Sequence, residues 1–196
     1  MYDIKALYEA ENVQDAIRLL TEHPQAQIIA GGSDVLVQIR EGKRAGVELV
    51  SIYGLDELRG VSLEEDETLR IGSLTSFSHI TKNELIQKYI PVLGEAVDMV
   101  GGPQIRNIGT IGGNTCNGVT SADSASTLFA LDAIIELTGP EGIRRLPIRE
   151  FYIKAGKVDI RQGELQTGIL IPKQSYQGYR GHYIKYAMRN AMDIAT

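Results

Sequence analysis

The stretch IGTIGGNTCNG, residues 108–118, constrains the fold of this chain more than any other part of its sequence. It places four glycines among threonines and asparagines. Because glycine has no Cβ, the backbone can turn tightly here and a ligand can approach the main chain closely, while neighbouring N–H groups can form an anion-binding nest. We predict a loop that suits a phosphate group or a flavin edge, although a plain turn between two strands fits the same residues.

A second glycine pair follows a predicted buried strand at residues 26–30. The sequence AGGSD, residues 30–34, ends that strand, and residues 35–40 predict a short helix or an irregular turn. Free N–H groups at a strand-to-helix turn, together with the positive end of the helix dipole, favour pyrophosphate binding. Neither glycine pair matches GxGxxG or GxxxxGK[ST], which excludes standard Rossmann and P-loop sites. Two separate pairs favour a diphosphate cofactor that spans two lobes over coincidence.

The composition excludes several partner classes. With 196 residues, 43% of them hydrophobic and 23% charged, the chain has the composition of a soluble globular protein with one large or two small domains. The net charge of −5 comes without a basic cluster, so no nucleic-acid partner is expected. No apolar run reaches the length of a membrane span, and the first residues lack the blocks of a signal peptide. We therefore expect no membrane partner and a cytoplasmic location.

Metal and nucleophile patterns are also missing from the sequence. The single cysteine, Cys116, excludes internal disulfides and an iron–sulfur cluster held by this chain alone, and the three histidines have no metal spacing. No Ser/His/Asp order, HExxH motif or close carboxylate pair occurs. No metal ligand and no catalytic residue is therefore predicted, and any chemistry would belong to a bound cofactor.

Hydrophobic periodicity predicts a chain of mixed α/β (α+β) class. Helices are predicted at residues 12–22 and 90–100. A short helix is predicted after a cap at Thr75 or Ser76, and a further helix starts from the polar residues after 120. Strands are predicted at 26–30, 47–52, 165–172 and 182–188, and hairpins at 59–63/69–73 and 134–138/143–147.

Three single residues allow two interpretations each. Asp123 stands at a helix start, where it can cap the helix or accept hydrogen bonds from a ribose or adenine group. Lys185, in the predicted strand at 182–188, is either an exposed lysine or a group that steadies a cofactor carbonyl or phosphate. Cys116 lies inside the glycine stretch, and with no histidine near in sequence it fits a small packing residue better than a nucleophile.

Three separated motifs carry a family resemblance. They are AGGSDVL at residues 30–36, PQIRNIGTIGGNTCNGVTSADSASTLFALDA at 103–133 and KYAMRNAMDIA at 185–195. In type, order and spacing they resemble the FAD-binding subunit of the xanthine dehydrogenase family of molybdenum hydroxylases, and the resemblance covers essentially the whole chain.

The resemblance implies a two-subdomain FAD-binding domain with the flavin between the subdomains, of the vanillyl-alcohol oxidase and murein reductase type. Residues 1–55 then correspond to the N-terminal FAD-binding subdomain and residues 56–175 to the second one. Residues 176–196 correspond to the start of a connection to a C-terminal domain that is missing from this chain. Members of the family carry that domain, which is about half as long as this chain.

The resemblance also implies a set of cofactor-binding residues. Two segments correspond to diphosphate and flavin contacts, Asp123 corresponds to an acid on the ribose or adenine side, which now outweighs the plain cap, and two further residues correspond to positions that line the flavin ring. The set is Gln27, Ile28, Ile29, Ala30, Gly31, Gly32, Ser33, Asp34, Gly109, Thr110, Ile111, Gly112, Gly113, Asn114, Asp123, Leu165 and Lys185. Val100 stands where some relatives have a shielding aromatic residue, and no contact is assigned to it.

The function implied by the resemblance is one step of an electron relay. A large subunit hydroxylates the substrate, such as a purine, at its molybdenum cofactor, a small subunit passes the electrons through two [2Fe–2S] clusters, and FAD on this chain transfers them to NAD⁺. The expected assembly is a heterotrimer. Two alternatives are a non-catalytic binding or assembly protein with the same fold and a stand-alone flavin oxidoreductase that uses NADH.

Overall fold

The computed structural model describes residues 2–189 and 191–195 of the chain. Within these residues the strands form two main sheets. Each main sheet and the helices that accompany it in sequence form one part of the fold, named the first and the second layer. The predicted mixed α/β (α+β) class is confirmed.

The first layer consists of β1 Ile4–Glu9, α1 Val13–Glu22, β2 Gln27–Ile29, α2 Val35–Arg40 and β3 Val47–Ser51. Its sheet is parallel, with β3 in the middle. The side chain of Asn12 accepts a hydrogen bond from the backbone N–H of Asp15 at 2.9 Å, which satisfies a free donor in the first turn of α1. The helix predicted at residues 12–22 and the strands predicted at 26–30 and 47–52 are confirmed within a residue or two at each end.

The sequence pattern does not predict β1. This strand lies at the edge of the sheet, its side chains are exposed or half-buried, and Leu7 is 55% exposed. An edge strand of this kind lacks the apolar alternation by which a half-buried strand is recognised. Its parallel pairing with β3, which brings Leu7 opposite Leu49, places it in the fold.

The strands of the second part of the chain are β4 Val61–Leu63, β5 Leu69–Gly72, β6 Ile134–Gly139, β7 Gly142–Pro147, β8 Tyr152–Lys154, β9 Lys157–Val158 and β10 Leu165–Ile171. The second main sheet is antiparallel, with the order β4-β5-β10-β6-β7, and β8 pairs with β9 apart from it. All seven residues of β10 are buried, as expected for a central strand. Both predicted hairpins and the strand predicted at residues 165–172 are confirmed.

The helices of the second layer are α3 Phe77–Lys82, α4 Glu84–Tyr89, α5 Pro91–Asp98, α6 Pro103–Ile108, α7 Ile111–Cys116, α8 Asp123–Ala130 and α9 Ile148–Phe151. Ser76 caps α3, since its hydroxyl accepts a hydrogen bond from the backbone N–H of His79 at 3.2 Å. Pro91 occupies the first turn of α5, where an N–H group would have no acceptor within the helix, so proline costs no hydrogen bond there. Both features agree with the sequence predictions.

Two apolar cores hold the layers. The larger core packs α3, α5 and α8 against the antiparallel sheet, and the smaller one packs α1 against β3. Leu165 of β10 and Leu74 belong to the smaller core, and the side-chain amide of Gln162 donates a hydrogen bond to the carbonyl of Leu20 at 2.8 Å. The layers therefore meet at the start of β10. The domain limits at residues 55 and 175 stay a prediction.

Two predictions of local structure are wrong. The glycine-rich stretch is not a loop, because α7 takes up six of its residues. The strand predicted at residues 182–188 does not form, and described residues 177–189 contain no helix or strand. This segment bonds to helices instead of a sheet edge, for example through His182 to Glu95 at 3.0 Å.

Candidate functional site

A cleft of about 540 Å³ lies where the two layers meet, a size typical of ligand sites. Residues of both predicted segments, 27–34 and 109–114, line it, together with Leu165 and Gln166 of β10. The predicted site residues in its walls are Gln27, Ile28, Ala30, Gly31, Gly32, Ser33, Asp34, Gly109, Thr110, Gly112, Gly113, Asn114 and Leu165. Four other predicted residues, Ile29, Ile111, Asp123 and Lys185, do not line this cleft.

The first segment offers unused hydrogen-bond donors. The backbone N–H groups of residues 31–34 donate no hydrogen bond to any residue that the structure describes. Gly32 has a φ of 74°, which an L-residue adopts only with strain, so glycine is required for this turn. Asp34 stands at the start of α2 without capping it, and its carboxylate accepts a hydrogen bond from the Gln38 amide at 2.5 Å. The segment can therefore donate main-chain hydrogen bonds to an anionic or carbonyl group.

The second segment differs from the predicted anion nest. Most of its N–H groups are already used: Gly109 donates to Ile105 at 2.7 Å, Gly112 to Ser73 at 2.8 Å, and Gly113 to the hydroxyl of Thr110 at 3.1 Å. The N–H of Thr110 donates no hydrogen bond to any residue that the structure describes. The expectation of bare amides is therefore wrong for most of residues 108–118, because helical bonds, the N-cap of α7 and tertiary bonds occupy them. What remains is a side-chain-free surface that a ligand can approach closely.

Close backbone packing explains two of the glycines. A Cβ on Gly31 would overlap the carbonyl oxygen of Ile108, so the first segment touches the end of α6 directly. A Cβ on Gly112 would lie 2.6 Å from the Cβ of Ser73 and 2.7 Å from its carbonyl oxygen. Both distances are shorter than van der Waals contact. Glycine at these positions therefore lets main-chain segments of the cleft pack directly against each other.

Two buried polar atoms in cleft-lining residues have no partner. The hydroxyl oxygen of Ser73 and the amide nitrogen of Gln166 make no hydrogen bond within the part of the chain that the structure describes. Both residues line the cleft, and they are 3% and 4% exposed. Both atoms are themselves inaccessible to solvent, so each is a cost to the folded protein and not a contact offered to a ligand in the cleft.

Asp123 and Lys185 form a separate buried cluster. The Lys185 ammonium lies 3.0 Å from one Asp123 carboxylate oxygen, and the hydroxyl of Tyr183 donates to the other at 2.7 Å. Burial and this hydrogen bond raise the pKa of the Tyr183 phenol. Ala122, not Asp123, is the N-cap residue of α8, so the plain-cap interpretation of Asp123 is wrong. The cluster connects to the cleft wall, where Ser124 donates to the side chain of Asn114 at 2.5 Å.

Cys116 behaves as a packing residue. Burial raises the pKa of its thiol to about 12, which keeps the sulfur protonated near neutral pH. The thiol lies 3.0 Å from the carbonyl oxygen of the Gln166 side chain, to which it donates. No nucleophilic role is needed to account for it.

Sequence reasoning missed many cleft-lining residues, among them Arg44, Ser73, Val100 and Gln166. The Arg44 guanidinium donates to the amide oxygens of Gln27 and Gln38, each at 2.5 Å, at one end of the cleft. Gln166 carried a usable signal, because a glutamine inside a fully buried strand needs a polar partner. The family resemblance pointed to the position of Val100 but no contact was assigned there, and nothing in the local pattern marked Arg44 or Ser73.

Among residues 2–189 and 191–195, no three His, Cys, Asp or Glu side chains come together as a metal site. In the same residues no helix has the length and apolar character that crossing a bilayer requires.

Comparison with known proteins supports the cofactor class. Residues 2–174 match the protein family described as the FAD binding domain in molybdopterin dehydrogenase. The xanthine dehydrogenase FAD-binding subunit of Escherichia coli O157:H7 is 42% identical over 196 residues, which is 100% of this chain and 67% of that subunit. The carbon monoxide dehydrogenase medium chain of Afipia carboxidovorans is 32% identical over 191 residues, which cover 96% of this chain and 65% of that one.

A solved structure has the same fold. In the carbon monoxide dehydrogenase of Hydrogenophaga pseudoflava that lacks the Mo-pyranopterin moiety, one chain superposes with a TM-score of 0.91 at 26% identity. The match covers 100% of this chain and 67% of that one. This chain therefore spans about two thirds of the length of the relatives it matches.

Proposed function

Because this chain belongs to the family of FAD-binding domains in molybdopterin dehydrogenases, we propose that it is the FAD-binding, electron-transferring subunit of a xanthine dehydrogenase-like molybdenum hydroxylase. The observation that carries the proposal is the cleft between the layers. Free main-chain donors at residues 31–34 and the side-chain-free surface of Gly112 and Gly113 line it, as a long cofactor with a charged and a ring end requires.

The chain's own residues bind and orient the cofactor. The N–H groups of residues 31–34 would hold the diphosphate, and the surface of Gly112 and Gly113 would let the cofactor approach the start of α7. Leu165, which is 1% exposed, would exclude water on the ring side. Asp123 and Lys185 keep the roles proposed from the resemblance, although they pair with each other and do not line this cleft. When bound, FAD supplies the redox chemistry, and no side chain of this chain is assigned a catalytic role.

Partners and electron acceptor are part of the proposal. A molybdenum-cofactor subunit and an iron–sulfur subunit would complete a heterotrimer in the cytoplasm, and NAD⁺ would receive the electrons. Relatives that include a carbon monoxide dehydrogenase medium chain and a nicotinate dehydrogenase FAD-subunit support the assembly class but leave the hydroxylated substrate, purine or other, open. Purification of a tagged chain from its native host tests this: recovery of a molybdenum protein and a [2Fe–2S] protein is expected, and a flavoprotein that oxidises NADH without them would contradict it.

Flavin binding itself is tested on the 196-residue chain. Added FAD should remain bound through gel filtration and give the visible absorption bands of a flavin. Gly112→Val should abolish retention, because even a Cβ would lie 2.6 Å from Ser73. Gly54→Ala is the matched control, since no described atom lies within 4 Å of the added methyl group. A colourless wild-type chain after incubation with FAD would contradict the proposed function.

A further inference from the structure

Charged side chains are few in the cleft between the layers. Among the described residues, those that line it are Arg44, Arg161, Asp34 and Glu164. Glu164 already has a counter-ion, because the Arg144 guanidinium donates to its two carboxylate oxygens at 3.0 and 2.8 Å. The Asp34 carboxylate stands next to the free N–H groups of residues 31–34, where it repels an anionic ligand. An anion in this part of the cleft therefore needs a cation nearby.

Arg44 lies in the loop between α2 and β3, and two glutamines fix the direction of its guanidinium. Its Nε donates to the side-chain oxygen of Gln38 and one Nη to that of Gln27, each at 2.5 Å. The Gln38 amide donates in turn to the Asp34 carboxylate at 2.5 Å. One glutamine side chain therefore connects the guanidinium to the segment that carries the free N–H groups.

The Arg44 guanidinium keeps unused hydrogen-bond donors. Two of its five N–H donors have a partner among the described residues, and no carboxylate among them forms an ion pair with it. Arg44 is half-buried and lines the cleft, so a ligand there reaches the remaining donors. A phosphate oxygen is a strong partner for such a group, because it accepts short, charge-assisted hydrogen bonds from arginine.

On the basis of the proposed function, we propose that Arg44 binds a phosphate of the adenosine-diphosphate half of FAD and makes the cleft select a dinucleotide over a flavin without that half. The N–H groups of residues 31–34 donate hydrogen bonds but carry no net charge, whereas Arg44 adds a full positive charge that offsets Asp34. Gln27 and Gln38 are positioning residues, since each acts through the guanidinium.

Two substitutions of Arg44 separate its charge from its hydrogen bonds to the glutamines. Arg44→Gln should weaken FAD and ADP binding about 10-fold, the effect of one hydrogen bond between charged groups at a half-buried position. Arg44→Lys keeps the charge and should recover most of the ADP affinity, although lysine lacks the fork that reaches both glutamines. A role limited to holding Gln27 and Gln38 would be lost equally in both variants.

Lys43→Gln is the matched control. It removes the same charge one residue earlier, but Lys43 is exposed, pairs with Glu41 at 2.8 Å and does not line the cleft. A direct contact between Arg44 and a phosphate leaves the ADP affinity of Lys43→Gln at the wild-type value. A general effect of positive charge in this loop would lower it as much as Arg44→Gln does.

The experiment measures dissociation constants for FAD, ADP and riboflavin by fluorescence and calorimetry, at low and at high salt. We expect Arg44→Gln to lose affinity for FAD and ADP, to keep wild-type affinity for riboflavin, and to show a weaker salt dependence of ADP binding than wild type, because salt screens the ionic contact. Wild-type ADP affinity in Arg44→Gln, an equal loss in Arg44→Lys or Lys43→Gln, or a loss shared by riboflavin would overturn this role of Arg44 while the proposed function stands. Failure of the wild-type chain to bind FAD would overturn both.

Discussion

Gly31 shows how one missing side chain sets the width of the cleft. An alanine Cβ there would overlap the Ile108 carbonyl oxygen, so the first segment and the end of α6 would have to separate. Because the backbone fixes the position of the Cβ and the oxygen belongs to the main chain, no rotamer change relieves the contact. We expect Gly31→Ala to lower the free energy of unfolding by about 1–3 kcal/mol and to weaken FAD binding at least tenfold.

Urea unfolding and FAD titration of Gly31→Ala, set beside Gly54→Ala, check this expectation. Gly54 has open space around its Cα and a φ outside the left-handed region, so its alanine variant should be neutral or slightly more stable. Equal behaviour of the two variants would show that the close approach at Gly31 does not constrain the cleft.

Glu136 makes a pH-dependent contribution to stability. Burial raises the pKa of its carboxyl, but hydrogen bonds from Arg145 at 2.7 Å and Arg70 at 2.8 Å outweigh burial, and the pKa is lowered overall. A carboxyl with a lowered pKa in the folded state stabilises the fold above its unfolded pKa of about 4.3, and this contribution is lost as the pH falls through the folded value. Glu136→Gln should therefore lower the free energy of unfolding by about 1.5–3 kcal/mol at pH 7, and by progressively less as the pH falls.

Unfolding in urea at pH 7 and near pH 3 measures the difference between Glu136→Gln and wild type. Glu22→Gln serves as the reference, because its ion pair with Arg18 has both side chains more than half exposed and should contribute less than about 1 kcal/mol. A deficit for Glu136→Gln that stays constant with pH would show that packing, not charge, holds this residue.

At the scale of elements, α7 shows where sequence reasoning stops. Two adjacent glycines in a six-residue segment each disfavour a helix by about 1 kcal/mol relative to alanine, so local propensity predicts a loop. The helix forms because Thr110 caps it and because the N–H groups of Ile111 and Gly112 bond to the carbonyls of Thr75 and Ser73. Those tertiary partners lie 36 or more residues away in sequence and leave no local signal.

The segment at residues 177–189 depends on one buried ion pair. Lys185 and Asp123 side chains are 4% and 9% exposed, and Lys185 also donates to the carbonyl of Met99 at 3.1 Å. Removing the carboxylate charge leaves a buried ammonium without its counter-ion, which disfavours the docked segment by up to about 3–5 kcal/mol. Asp123→Asn should therefore undock the segment, and limited trypsin digestion should then cleave after Lys185.

Glu95→Gln is the matched variant for this segment. Glu95 accepts hydrogen bonds from His182 and from the N–H of Tyr183, but its side chain is 44% exposed and water can replace those bonds. Its effect on cleavage after Lys185 should be small. Equal cleavage after Lys185 in both variants and in wild type would show that the ion pair between Asp123 and Lys185 does not hold this segment in place.

For the whole molecule, the sequence predicted local elements better than their assembly. The hairpins and α1 followed from alternation, turn residues and caps that lie within a few positions of each other. The non-local parts did not: β10 pairs with β5 about 100 residues earlier, and Ser73 meets Gly112 and Thr167 only in the folded chain. The two glycine segments reached one cleft as predicted, whereas Arg44 became recognisable as a residue of that cleft only in the structure.

A cofactor that contacts both layers should stabilise the molecule more than either of its halves. Ligand at about 100 times its Kd adds about 2.7 kcal/mol to the free energy of unfolding, which for a chain of this size raises Tm by roughly 5–10 °C. ADP can engage only the diphosphate side and riboflavin only the ring side, so FAD should shift Tm more than either ligand at the same concentration. Thermal unfolding with each ligand measures this. If ADP alone reproduced the full FAD shift, the ring would lie outside the cleft, and the contacts of Leu165 and of the second layer would contribute nothing to binding.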